Sequence, residues 1–177
     1  MRCEEDSDHS PATLAAHIAA PICAAAFVRE RGQQPTAQYL EEYAHFLEVH
    51  LEPWTVTTEG SLVPGIRRDF IRLHPADAHN PQPDEDPNHG VLELRNQPPG
   101  APTLFPGKDI VDAGFLELVR YGNRQPGDPP VEDSLCVVDA VLRVDTLVGP
   151  CWRRYNHDGY GQRTDGGPYQ GWGYGHA

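Results

Sequence analysis

Two groups of residues have the types and spacing to do chemistry. Glu4 and Glu5 are adjacent carboxylic acids placed just before a helix that opens at Ser10-Pro11. Acids there can simply favour a helix dipole, for a few tenths of a kcal/mol, or one of them can be held for proton transfer. The second group is the segment from Cys151 to Ala177. It carries Arg153, Arg154, Asp158 and Asp165 among six aromatics, Trp152, Tyr155, Tyr160, Tyr169, Trp172 and Tyr174. Flat rings that stack on sugar faces, with Arg and Asp bonding hydroxyls in pairs, are how neutral sugars are held. A solvated Gly-rich tail is the plainer reading of the same residues.

These groups must be positioned by helices. The first follows Ser10-Pro11, an N-cap with Pro at the first helical position. Leu14, Ile18, Ile22 and Ala25 recur at helical spacing and Gly32 ends the run. Its many alanines suggest close packing on several sides, and Pro21 should kink it. The second starts near Thr36, with Leu40, Tyr43, Leu47 and Leu51 as its stripe and Pro53 as its stop. A third is expected from about Asp109 to Gly122, with Val111, Phe115, Leu118 and Val119 on one face. A fourth follows Asp128-Pro129-Pro130, with Val131, Leu135, Val138 and Leu142 inward and Gly149-Pro150 closing it. Each has an apolar side, as a layer of packed helices requires. More than fifty residues between the second and third lack a long periodic pattern. Only 62–73 and 91–94 read as short strands there, and so long a connection marks a functional loop.

Composition excludes several classes. Fourteen Lys and Arg against 26 Asp and Glu give a charge of −12, which argues against nucleic acid and anionic membrane surfaces. No apolar run approaches the roughly 20 residues needed to span a bilayer. The start, Met-Arg-Cys-Glu-Glu-Asp, is acidic where a signal peptide would be basic and then apolar. That fits either a cytoplasmic protein or a polypeptide whose natural start lies elsewhere. The four cysteines, Cys3, Cys23, Cys136 and Cys151, lack C-x-x-C spacing and are expected to be buried free thiols. No metal or other cofactor is expected. The nine His fall in no H-x-x-x-H or H-E-x-x-H pattern, and Asp84-Glu85-Asp86 reads as a solvated loop.

The run Glu4-Glu5-Asp6-Ser7-Asp8-His9-Ser10-Pro11, followed by the Ala-rich helix, resembles the acid-catalyst segment of bacterial glycoside hydrolases of family 15, the glucoamylases and glucodextranases. That segment usually reads Trp-Glu-Glu, a few polar residues, then Gly-Tyr-Ser-Pro. The stretches TVTTEGSLVPGIRRDFIRL, PNHGVLELRNQPPGAP and IVDAGFLELVRYG are similar to the same family, as is the tail with RYNHDGYG. The resemblance covers essentially the whole chain. It implies an all-α fold, part of a double-ring (α/α)6 barrel with long irregular loops carrying short strands. Residues 1–177 would be a partial catalytic domain truncated at both ends. It implies an inverting, exo-acting α-glucan hydrolase that releases glucose. α-1,4 links are the default, and α-1,6 dextran or trehalose the alternatives. Glu4 then matches the general acid, with the base outside this chain. Glu5, Arg154 and Asp158 match sugar-binding positions, and Trp152 and Tyr155 the wall. The partner is an α-glucan or oligosaccharide. Cys3 stands where the family has Trp, Asp8 and His9 replace Gly-Tyr, His17 replaces an acid, and Pro21 interrupts the following helix. With the base outside and these changes present, the chain alone is expected to be inactive, and a non-catalytic remnant is the rival reading.

Overall fold

The computed structural model describes residues 8–75, 86–97 and 100–159. Two long antiparallel-sequence helices, α1 (Pro11–Glu30) and α2 (Gln34–Thr55), dominate it. Ser10 caps α1 as expected, its Oγ accepting from the Thr13 N–H at 3.1 Å. Gly32, at φ +75°, ends the helix by letting the chain reverse, with its N–H donating to the Arg29 carbonyl. Leu14, Ala15 and Ile18 of α1 meet Leu47, Leu51 and Trp54 of α2 in the principal core. The expectation of packing on several sides fails for α1. Ile22 and Phe27 are exposed, and it packs along α2 and the short helix α3 (Leu116–Arg120). The expectation about apolar length also fails. At 20 residues and a mean hydropathy of 1.6, α1 is long and apolar enough to cross a membrane by length and composition. His17 and Pro21 break up its bulky side chains, but alanine keeps the average high.

Pro53 does not stop α2, which continues through Trp54 and Thr55. Pro53 is exposed in the last turn, where its missing N–H removes one hydrogen bond without ending the helix. The Thr55 hydroxyl closes the end instead, donating to the Leu51 carbonyl at 2.5 Å. The inward stripe is Ala37, Ala44, Leu47, Leu51 and Trp54, while Tyr43 is exposed.

The third expected helix shrinks to the five residues of α3, preceded by a 3-10 turn, Gly107–Asp109. Tertiary partners take the backbone groups that a helix would have used. The Val111 N–H donates to Asn156 Oδ1 at 2.8 Å, and Asp112 pairs with Tyr155 as an antiparallel bridge. Asp112 Oδ1 also accepts from the Gly114 N–H at 2.7 Å, a side-chain turn that competes with helix.

Helix α4 (Pro129–Leu142) keeps its expected stripe, with Val131, Val138 and Leu142 buried and Leu135 half-buried. It ends seven residues before Gly149. A hairpin follows, β7 (Arg143–Thr146) with β8 (Gly149–Trp152), in which Arg143 faces Trp152. Gly149 supports the turn at φ +122° rather than closing a helix. Ser134 links α4 to the strands. Its Oγ accepts from the Phe70 N–H at 2.8 Å and donates to the Pro130 carbonyl at 2.6 Å.

Six shorter strands lie among the described residues. They pair antiparallel as β1 (Asp8–His9) with β4 (His74–Pro75), β2 (Val56–Thr57) with β3 (Asp69–Phe70), and β5 (Val91–Glu93) with β6 (Leu104–Pro106). Of the expected strand over 62–73 only Asp69–Phe70 forms. The architecture is thus mainly helical, with short two-stranded pieces in the connections. Under those connections lies a second apolar cluster of Leu73, Leu92, Leu94, Ile110 and Tyr155, backed by Phe105. Cys23, Cys136 and Cys151 are free and exposed, not buried. Each falls on the outward side of its helix or strand.

Candidate functional site

The second cluster sets the geometry of the 154–159 turn. Tyr155 is buried there and its ring lies beneath the Arg72 guanidinium, 3.7 Å from Cζ to the ring centroid. Arg72 Nε also lies 3.5 Å from Asp112 Oδ2. The buried Asn156 amide fixes the next residue, donating from Nδ2 to the Asp109 carbonyl at 2.6 Å while Oδ1 accepts from Val111. His157 takes φ +57° and stacks on Phe105 at 4.4 Å. This turn brings Arg154 and Asp158 together. Arg154 Nε donates to Asp158 Oδ2 at 2.7 Å and a terminal nitrogen donates to Oδ1 at 2.9 Å. The pair is bidentate, the strong geometry for guanidinium and carboxylate. It is also asymmetric, since the Asp158 side chain is 3% exposed and the Arg154 side chain 59%.

Asn96 completes the network. Its Nδ2 donates to the Tyr155 hydroxyl and to Asp158 Oδ1, both at 2.8 Å. Burial, and then the Asp158 charge, push the Tyr155 hydroxyl above its ordinary pKa, so it stays a neutral donor and acceptor. Burial raises the Asp112 carboxyl to about 6, against the Gly114 N–H and the Arg72 charge, which both favour its ionised form. Asp69 is raised further, to about 7, by burial first and then by the charges of Asp109 and Asp133. Its Oδ2 is buried without a hydrogen-bond partner among the described residues.

Three of the expected site residues, Arg154, Tyr155 and Asp158, therefore meet in one place. Trp152 makes its polar contact elsewhere, its indole N–H donating to Asp139 on α4 at 2.8 Å. Glu4 and Glu5 lie outside the described residues, as do the tail aromatics from Tyr160 onward. What holds the chain just after the two acids is described. His9 pairs with His74 across β1 and β4, and its ring stacks on Trp54 at 4.5 Å and 13°. His50 and Phe46 extend this group along α2, at 4.7 Å and 6.1 Å from Trp54. Burial, and then the neighbouring His74, hold the His9 pKa below its ordinary value. Arg72, Asn96, Asp112 and Asn156 have no role in the sequence reading. Asn156 adjoins Tyr155, but Arg72, Asn96 and Asp112 are distant from it along the chain, with no periodic relation to it, and only closure of the loops joins them.

The described fold is thus a helical frame whose loops carry a bidentate Arg154–Asp158 pair. Residues 3–172 match the profile of the glycosyl hydrolases family 15, and the chain belongs to that family. It is 37% identical over 174 residues to a glucoamylase of Clostridium sp. (strain G0005), covering 98% of this chain and 23% of that protein. The fold is similar to the crystal structure of a bacterial glucoamylase complexed with acarbose. The TM-score is 0.71 at 34% identity, covering 92% of this chain and 22% of that one. The chain thus spans about a quarter of the length of these relatives.

Proposed function

We propose that the chain is a portion of the catalytic domain of an exo-acting, inverting α-glucan hydrolase that frees glucose from non-reducing ends. The observation that carries this reading is the bidentate Arg154–Asp158 pair, held by a buried network on the RYNHDGYG segment of a family 15 chain. α1, α2 and α4 would then belong to a double-ring (α/α)6 barrel that extends beyond residues 1–177. Glu4 is the general acid, delivering its proton to the glycosidic oxygen. The base, supplied from outside this chain, activates water on the other face of the sugar, about 6.5–9.5 Å away in inverting enzymes. An apolar surround would keep Glu4 protonated at working pH. Glu5 contacts the adjoining sugar, Arg154 bonds sugar hydroxyls against Asp158, and Trp152 and Tyr155 contribute to the wall. The Tyr155 ring is covered by Arg72, which leaves its hydroxyl as the group that shapes the site. Without the base the chain by itself does not turn over substrate. Its affinity for maltose is expected to be no better than millimolar, roughly −4 kcal/mol.

The test is a chimera in which residues 3–172 replace the matching segment of the Clostridium glucoamylase. Glucose release is measured from maltotriose, isomaltotriose and trehalose, and the preferred substrate separates α-1,4 from α-1,6 and trehalose cleavage. Cys3, Asp8 and His9 favour a second reading, a remnant whose acid segment no longer works. If the chimera is inactive, Cys3→Trp, Asp8→Gly and His9→Tyr together should restore activity. His9→Tyr keeps an aromatic ring for the stack on Trp54. In the active form Glu4→Gln should lower kcat by about 10²–10⁴-fold, the usual worth of a general acid. Full activity with Glu4→Gln would show that Glu4 is not the acid. No release from any of the three sugars by the restored chimera would sink the hydrolase reading.

A further inference from the structure

We infer that Asn96 is a positioning residue for Arg154. It acts through Asp158, and the loop carrying it clamps the turn that presents the guanidinium to sugar. The inference rests on the proposed sugar-binding role of Arg154. Both N–H groups of the Asn96 amide are used, one on the Tyr155 hydroxyl and one on Asp158 Oδ1. A carboxylate only accepts, so the amide must face Asp158 with its nitrogen, and its orientation is fixed by chemistry. With Oδ1 held from one side, the carboxylate plane is set and both oxygens meet the fork of Arg154. The guanidinium is left 59% exposed, while its counter-ion is buried. A charge presented from a fixed base in this way loses little freedom when it binds a hydroxyl.

The backbone strengthens the clamp. Gln97 Nε2 donates to the His157 carbonyl. Gly159 lies so close that a Cβ there would sit 2.0 Å from the Asn96 carbonyl oxygen. The two segments interlock at three successive points, and nothing larger than glycine fits the last of them.

Phenylglyoxal modification of the full chain, with each arginine read by peptide mass spectrometry, tests this. Arg31, exposed at the end of α1, is the internal reference. Asn96→Ala should raise the Arg154 rate about fivefold, the size of one lost hydrogen bond, and leave Arg31 unchanged. Gly159→Ala keeps every polar group, forces the segments apart, and should give the same rise, so the outcome does not depend on one variant folding. In an Asp158→Ala background, Asn96→Ala should add nothing, because Asn96 works only through that carboxylate. An unchanged Arg154 rate in both single variants, or a further rise in the Asp158→Ala background, overturns the inference. Acarbose at high concentration should slow Arg154 modification in the native chain and less so in Asn96→Ala. Absence of protection in the native chain refutes the sugar-binding role of Arg154, a failure distinct from that of the clamp.

Discussion

Replacing Asp69 with Asn should change how the stability of this chain depends on pH, and in a definite direction. Asp69 is 2% exposed, and its carboxyl is raised from 3.8 to about 7 by burial first, then by Asp109 and Asp133, with Lys108 opposing. In the unfolded chain the group ionises near its ordinary value. Between about pH 4 and pH 7 the unfolded state has shed this proton and the folded state has not, so raising the pH favours unfolding. The stability is fully present below about pH 4, is lost progressively as pH rises, and levels off above about pH 7. A gap of about three pH units, at 1.36 kcal/mol for each, makes the loss about 4 kcal/mol. That is a quarter or more of the roughly 5–15 kcal/mol by which an ordinary domain is stable. Asn cannot ionise, so Asp69→Asn should remove this slope and be the more stable protein at pH 8, while matching or falling below the native chain at pH 4. The assay is urea unfolding followed by tryptophan fluorescence at pH 4, 5, 6, 7 and 8. Asp112, raised to about 6, adds a smaller loss of the same sign. Asp112→Asn therefore serves as a comparison that should remove only the Asp112 contribution, between about pH 4 and pH 6, and leave the Asp69 slope in place. An Asp69→Asn chain that is destabilised equally at every pH would refute the reasoning, because it would show that Asp69 is ionised in the fold.

Three further outcomes follow from particular contacts. Ser134→Ala strands the buried Phe70 N–H and should cost about 1–3 kcal/mol. Thermal unfolding reads this directly, and a Tm within a degree of the native value would contradict it. Ile22 and Phe27 on α1, with Tyr39, Phe46 and Val49 on α2, leave an apolar outer surface. The chain alone should therefore bind a hydrophobic dye and self-associate at micromolar concentration. Phe27→Glu with Val49→Glu should reduce both effects, and a monomer that binds no dye would count against this. Trp54→Ala should cost about 3–5 kcal/mol, as for a large ring removed from a core, and free His9 from its stack. Proteolysis at 8–9 should then rise more than at 31–33, and equal susceptibility would rule out a tether.

Exposed apolar residues of α1 and α2 also correct an argument from pattern. In a barrel of paired helices, the stripes Leu40–Leu47 and Val138–Leu142 would be expected to need neighbouring helices to cover them. Instead Ala44, Leu47, Val138 and Leu142 are buried within this chain's own core, and Leu40 is half-buried. The unburied apolar residues include two members of the stripes, Ile22 and Tyr43, as well as Phe27, Tyr39, Phe46 and Val49 between them. Periodicity identifies a buried face only when one face is apolar, and α1 and α2 carry apolar residues on more than one.

What the sequence determined by itself are the features governed by neighbours within a few residues. Ser10-Pro11 starts α1 and Gly32 ends it. Asp128-Pro129-Pro130 starts α4, and the stripe Val131, Leu135, Val138, Leu142 points inward. Arg154 and Asp158 are legible as residues, but their pairing depends on the turn that Arg72, Asp109 and Asn96 hold. The tertiary structure decided whatever depends on partners distant in the chain. Residues 110–115 have a helical apolar pattern, yet Asn156 and Tyr155 claim the backbone of Val111 and Asp112 and hold it extended. Pro53 was tolerated because its side of α2 faces outward. The high proton affinities of Asp69 and Asp112 exist only because folding removes water and, at Asp69, gathers like charges. Asn96 has no signature of its own, since an amide becomes a clamp only when loop closure places a hydroxyl and a carboxylate within reach of one nitrogen. Local sequence fixes short-range backbone choices. Desolvation and long-range hydrogen bonding require the chain to be folded before they act.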